Sequence, residues 1–295
     1  MTRLFSFALI LFAVLSGVSG CNRPDDPPAP PPQPTNPKPD VISSDGVAIS
    51  YDISGSGEPT LVFVHGWCCD RTYWRHQIPR FAKRYRVVAI DLGGHGDSGL
   101  NRSGWTIESF GRDVAAVVKA LDLKRVILIG HSMGGPVNIS AAGDLPGRVT
   151  GLIGVDCYND IDAEYNAYDT NGFVSALRAN FTSVTASSVR SMFVADSDED
   201  LVEQVIADMS STPPAVGAGA MRSFLKFDRI AALKGLGVPI RCINSDRRST
   251  DVPAGKRYAM SFELKFIKGV GHFPMLEAPE EFNKLLADTI EELGK

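Results

Sequence analysis

Short, unbroken apolar runs recur along the chain from Leu61 onward, separated by helix-length segments of mixed polarity. Leu61-Val-Phe-Val64, Val87-Val-Ala-Ile90, Val126-Ile-Leu-Ile129 and the stretch 149–155 are rich in β-branched residues and lack polar alternation. Runs of this kind predict strands buried on both faces. The segments near 73–81 and 107–121, and the one that follows Ser132, predict helices. This βαβα order points to an α/β architecture, a parallel sheet covered by helices on both sides. Val47-Ala-Ile-Ser-Tyr-Asp-Ile53 does alternate, and it lies between Asp45-Gly46 and Ser54-Gly-Ser-Gly57. An early antiparallel hairpin strand is expected there.

Residues 157–235 interrupt the rhythm. They are polar and aromatic, carry two helix-like segments near 172–181 and 200–209, and contain Pro213-Pro214. They read as a helical cap inserted over the sheet. Val238-Pro-Ile-Arg-Cys-Ile243 resumes the sheet, Phe262-Glu-Leu-Lys-Phe-Ile267 closes it, and 279–293 predicts the last helix. Residues 41–295, about 255 positions, suit one α/β domain.

The first forty residues have a different character. Met1-Thr-Arg3 is a short basic start, and residues 4–18 are apolar, too short for an ordinary spanning helix. A secretion signal over 1–20 is expected. It ends in Val18-Ser19-Gly20-Cys21, which resembles the bacterial lipobox, with Cys21 as the lipidated residue. Residues 24–39 hold nine prolines in sixteen positions, a polyproline-like spacer of roughly 50 Å at about 3.1 Å per residue. The expectation is therefore a head tethered to a membrane by a lipid anchor, in a bacterial cell envelope. By resemblance to known lipoprotein sorting patterns, Asn22 after the cysteine leans towards an outer membrane.

Charge and cysteine usage narrow the chemistry. The net charge is −4 with no basic run, which excludes nucleic acid as an expected partner. Cys68, Cys69, Cys157 and Cys242 form no C-x-x-C pair, and the five histidines show no metal-ligand spacing. Neither a disulfide framework nor a metal site is implied.

The strand at 126–129 runs into Gly130-His131-Ser132-Met133-Gly134, a G-x-S-x-G sequence, followed by Gly135 and a helix-compatible segment. Such a turn lifts a serine hydroxyl above the end of a sheet, and its glycines permit the sharp bend. His65-Gly66-Trp67 follows one strand, Asp91-Leu-Gly-Gly-His-Gly-Asp-Ser98 the next, and Gly269-Val-Gly-His272-Phe-Pro lies near the C-terminus. With these motifs in this order, the chain resembles the α/β-hydrolase superfamily over 41–295. The resemblance implies a mostly parallel eight-stranded sheet with an inserted helical cap.

It also implies site residues. Ser132 is the nucleophile and His272 its base, because a serine hydroxyl needs a partner that titrates near neutral pH. The backbone N–H groups of Trp67 and Met133 form the oxyanion hole. His131, His65 and His95 are read as structural, and Cys68 and Cys69 as packing or lining residues, with Arg71 the one cation near them. The acid departs from the pattern. The loop after 238–243 reads Asn244-Ser-Asp-Arg-Arg-Ser-Thr-Asp251, and the usual aspartate position falls on Arg248. Asp246 is placed slightly ahead of Asp156, which lies directly after the preceding strand, and Asp251 comes third.

The activity implied is hydrolysis of a carboxylic ester or related small-molecule acyl substrate through an acyl-enzyme, with no cofactor. Carbon–carbon bond hydrolysis and perhydrolysis use similar residues and stay open. So does a small-molecule sensor with slow turnover, because residues 66–74 look like the corresponding stretch in such relatives. Dehalogenase and epoxide-hydrolase chemistry needs a carboxylate nucleophile, which Ser132 does not supply.

Overall fold

The computed structural model describes residues 41–162 and 167–294. The expected secretion signal, lipidation at Cys21 and proline-rich linker lie outside the described residues. Among the described residues no helix is long and apolar enough to cross a membrane.

The strands begin with Val41–Ile42 (β1), Ala48–Ile49 (β2) and Tyr51–Ser54 (β3). They continue with Thr60–Val64 (β4), Val87–Ile90 (β5), Val126–His131 (β6), Val149–Val155 (β7), Ile240–Ser245 (β8) and Phe262–Ile267 (β9). β1 and β2 pair as a separate two-stranded sheet, while the other seven form one sheet in the order β3-β5-β4-β6-β7-β8-β9. Only its edge strand β3 runs antiparallel to its neighbour; the remaining pairs are parallel. The expected eight-stranded sheet is thus corrected to seven strands. The alternating run 47–53 is split at Ser50, whose N–H bonds Ser98 Oγ at 2.8 Å and whose carbonyl accepts from Asp91 N at 3.0 Å. One half joins β1 and the other joins the main sheet.

Helices cover both faces. Ile78–Phe81 (α1), Ile107–Ala120 (α2) and Gly134–Gly143 (α3) fall between the early strands. The segment predicted as one helix over 73–81 is a 3-10 turn at Arg71–Trp74 followed by the short α1, which has Pro79 in its first turn. α2 starts on a reciprocal cap, with Thr106 Oγ1 accepting from Ser109 N and Ser109 Oγ accepting from Thr106 N. The cap between β7 and β8 contains Ala167–Ala179 (α4), Phe181–Arg190 (α5), Glu199–Ser210 (α6), Pro214–Lys226 (α7) and Arg229–Leu233 (α8). Val252–Tyr258 (α9), Pro274–Glu277 (α10) and Pro279–Leu293 (α11) complete the order.

The core runs through the middle strands, where every residue of β4, β5 and β6 is buried. After β4 the chain lays β5 on one side of it and β6 on the other. The crevice beyond the carboxyl ends of β4 and β6 is therefore a topological switch point, where α/β sheets bind ligands. The loops carrying Trp67, Ser132 and Asp156 all leave strands at that end.

A buried ion pair fixes the loop between β5 and α2. Arg102 donates to both oxygens of Asp45 and of Asp113, and its own side chain is 3% exposed. Asp113 is fully buried and also accepts from Gly93 N at 3.0 Å. Removing one partner of such a pair strands a buried charge, at about 3–5 kcal/mol. Asp113→Ala is expected to lose that much in urea unfolding, and Asp45→Ala, at the more exposed end, clearly less. Equal losses would contradict this ranking.

Candidate active site

Ser132 sits at φ +52° between β6 and α3, the left-handed region that side chains other than glycine rarely occupy. Its neighbours show what holds it there. A Cβ on Gly130 would lie 2.4 Å from the Gly134 carbonyl, and one on Gly134 would lie 2.6 Å from the Val64 carbonyl. The turn therefore closes on itself and against the end of β4. Ser132 N donates to Val155 O at 3.0 Å, and its carbonyl accepts from Gly135 N at 3.0 Å.

Across the next strand, Asp156 follows β7 directly, again with positive φ (+45°). Its N–H bonds Ile243 O at 3.0 Å, which turns its side chain towards the end of β8. There Oδ1 accepts from Ser245 N at 2.9 Å and Ser245 Oγ at 3.0 Å. Oδ2 faces His272 Nδ1 at 2.5 Å. Burial alone would raise this carboxyl's pKa, but the hydrogen bonds from His272 and Ser245 prevail and hold it below the usual aspartate value. Hydrogen bonding to a carboxylate from Nδ1 leaves Nε2 as the free acceptor of a neutral His272.

Asp246, placed first as the acid from sequence, is not the partner of His272. Its carboxylate is exposed and accepts from Gly269 N at 3.3 Å, while its own N–H bonds Ile267 O at 3.1 Å. It ties the loop after β8 to the loop after β9. Asp251 caps α9 through Ala254 N. The parallel register explains the difference: Val155 pairs with Ile243, so the residue after β7 stands beside the last residues of β8.

The His272 loop is held by His131, expected as structural, and by Met192 and Glu277, which the sequence does not single out. His272 N bonds Met192 O at 2.8 Å, and its carbonyl accepts from His131 Nε2 at 2.8 Å. Glu277 accepts from Gly271 N at 2.8 Å, Phe273 N at 3.0 Å and Ser197 Oγ at 3.0 Å. The acidic residue five positions after His272 was the only available signal, and its role depends on α10 turning back on the loop. His131 is fully enclosed, and burial, with the neighbouring His272 second, lowers its pKa to about 3. It is neutral at physiological pH. His65 is neutral by geometry: its Nδ1 donates to Gly66 O at 2.8 Å and its Nε2 accepts from Leu92 N at 3.0 Å. His95 Nδ1 donates to Gly93 O at 3.1 Å within the 93–96 turn.

Trp67 belongs to the loop after β4, and its indole Nε1–H donates to Gly217 O of α7 at 2.8 Å. The loop is thereby fastened to the cap. Among the described residues neither Trp67 N–H nor Met133 N–H has an acceptor. Cys68 and Cys69 are buried free thiols whose pKa values burial pushes up. Arg71 is already engaged by Asp52 at 2.7 Å, Asp97 at 2.8 Å and Asp91. No activated thiolate results.

Ser132, Met133, Trp67, Asp156 and His272 all line one cavity of about 210 Å³. Met192, Met209 and Met221 give it an adaptable apolar wall, and Arg229 and Arg248 also face it. The volume is below the roughly 300–1,000 Å³ of sites for drug-sized ligands, which suits a small molecule.

Residues 61–285 match the Alpha/beta hydrolase family. The dihydrolipoyllysine-residue acetyltransferase component of the acetoin cleaving system of Cupriavidus necator is 36% identical over 132 residues, 45% of this chain. The chain spans 35% of that protein's length. The karrikin insensitive 2 receptor CA of Petunia hybrida is 23% identical over 79% of this chain and 92% of the receptor. Among solved structures, a thermophilic esterase from Thermogutta terrifontis aligns with a TM-score of 0.76 at 22% identity, over 87% of this chain and 98% of the esterase.

The neutral, buried His131 makes stability depend on pH. Its folded pKa, about 3, lies below the ordinary histidine value of 6.5. Its contribution is therefore complete above about pH 6.5 and is lost as pH falls towards 3. Between pH 4 and 5.5, His131→Gln is expected to reduce the slope of unfolding free energy against pH by about 1.4 kcal/mol per unit, one proton's worth. An unchanged slope would mean His131 is protonated in the folded protein.

Proposed function

The chain belongs to the alpha/beta hydrolase family, and from that premise we propose that it is a serine hydrolase of small carboxylic esters or related acyl compounds. The observation that carries this reading is the Asp156–His272 hydrogen bond of 2.5 Å at the cavity that Ser132 enters from its positive-φ turn.

In this reading His272 Nε2 takes the Ser132 hydroxyl proton as Oγ attacks the acyl carbon. Asp156 fixes the imidazole tautomer and stabilises the imidazolium that forms, without itself being protonated. The tetrahedral oxyanion is met by the Trp67 and Met133 N–H groups, which have no acceptor among the described residues. Donors already in place stabilise that charge without reorganisation. The N-terminal end of α3, immediately after the nucleophile, adds a favourable dipole. Collapse expels the alcohol, which receives the proton from His272. Water then attacks the acyl-enzyme with the same histidine as base, releasing the acid and restoring Ser132.

A second reading has its own support in the likeness to the petunia receptor: a small-molecule sensor whose site turns over slowly. The two differ in steady-state rate, not in the nucleophile.

A fluorophosphonate probe is expected to label the protein at Ser132 and to leave Ser132→Ala unlabelled. On a panel of p-nitrophenyl esters, Asp156→Asn is expected to lower kcat by up to about 10⁴, the effect of a wrong histidine tautomer. Asp246→Asn should stay within about threefold, the change expected when no transition-state contact is lost. Absence of labelling in folded protein contradicts the serine-hydrolase reading. Labelling without sustained turnover favours the sensor.

A further inference from the structure

The cavity walls carry more positive charge than the proposed chemistry uses. Arg229, 7% exposed, begins α8 and lines the cavity, with its guanidinium 5.0 Å from the Phe224 ring centroid and an Nη2–H bond to Phe224 O. Arg248, on the loop after β8, lines the same cavity. Among the described residues Arg248 has no ion pair or side-chain hydrogen bond.

The loop that presents Arg248 is held by its neighbours. Asp246 bonds the β9 end and the following loop, and Arg247 Nη1 donates to Ser191 O at 2.8 Å. Thr250 Oγ1 accepts from Asn244 and Asn159, and Asp251 bonds Asn159 O through its N–H while capping α9. Each of these side chains fixes the loop, and Arg248 is left facing the cavity from a pinned backbone. The carboxylates of the cavity do not answer it. Asp156 is committed to His272 and Ser245, and Asp160, exposed, forms no ion pair among the described residues. Arg248 is exposed at the cavity wall, so its guanidinium is open to a ligand, and its planar fork matches a carboxylate.

We propose that the substrate carries a free carboxylate in addition to its acyl bond, and that Arg248 recognises it. The inference rests on the serine-hydrolase reading and names its substrate class. Arg229 supplies positive potential deeper in the same cavity.

Two matched pairs of esters test this, one for each side of the scissile bond. The first compares p-nitrophenyl hemisuccinate with p-nitrophenyl butyrate. The second compares the acetyl ester of glycolate with ethyl acetate. In at least one pair the charged ester is expected to be preferred at least tenfold in kcat/KM. Arg248→Gln should lower that preference about tenfold or more, mainly through KM, and Arg248→Glu should invert it; Arg248→Lys should retain part of it. Each preparation is also labelled with the fluorophosphonate. Intact labelling with ratios unchanged by all three variants overturns the role of Arg248 and leaves the hydrolase reading standing. No labelling and no turnover in folded wild-type protein overturns both.

Discussion

A buried carboxylate sets the terms for this site. Asp156 lies at the end of β7 with its side chain 2% exposed, where a charge without partners would be strongly disfavoured. Two hydrogen bonds from Ser245 and one with His272 offset that penalty. The same contacts join three chain segments distant in sequence: the end of β7, the end of β8 and the loop before α10. Histidine orientation is thus a by-product of satisfying the carboxylate. Ser245 shares the burden, so the aspartate does not depend on the imidazole alone for its place.

Close backbone approach does the corresponding work for Ser132. The glycines at 130 and 134 let the turn fold against β4, which brings the loop of Trp67 to the same end of the sheet. That loop is joined to the cap by the bond from the Trp67 indole to Gly217 O. Gly217 is itself pressed against Phe181 and Cys68, where a Cβ would lie 2.4 Å and 3.0 Å from their atoms. The cap and the Trp67 loop are consequently one packed unit, so substitutions in α7 act on the geometry of the cavity as well as on its wall.

The strands of the parallel sheet and the serine turn were legible because buried parallel strands leave short unbroken apolar runs and a sharp turn leaves glycines. The acid was less legible. Asp156 and Asp246 both follow strands, and only the register between β7 and β8 decides which reaches His272; sequence spacing does not contain that register. The expectation of eight strands came from the family resemblance and not from the apolar runs, and the alternation in 47–53 gives no hint that Ser50 leaves the ladder for Ser98. In the cap two helices were expected and five are present among the described residues. Pro213-Pro214 and the glycines at 217 and 219 argue against a helix by propensity. Yet Pro214 occupies the first position of α7, where its missing N–H is harmless, while Gly217 is required by contact with Phe181 and Gly219 lies close against Trp105. Tertiary packing outweighed local preference there. Glu277, Ser245 and Arg229 have no motif at all, because each acts through an approach between distant segments, and Arg248 is marked only as the residue in the usual aspartate position.

Asp156, and no other aspartate, holds the His272 imidazole. Proton NMR of the resting protein in water tests it without substrate, through the strongly downfield imidazole Nδ1–H resonance of a carboxylate-bonded histidine. The expected result is a signal present in wild type and in Asp246→Asn, and absent in folded Asp156→Asn. Its persistence in Asp156→Asn, or its loss in Asp246→Asn, would contradict the arrangement described.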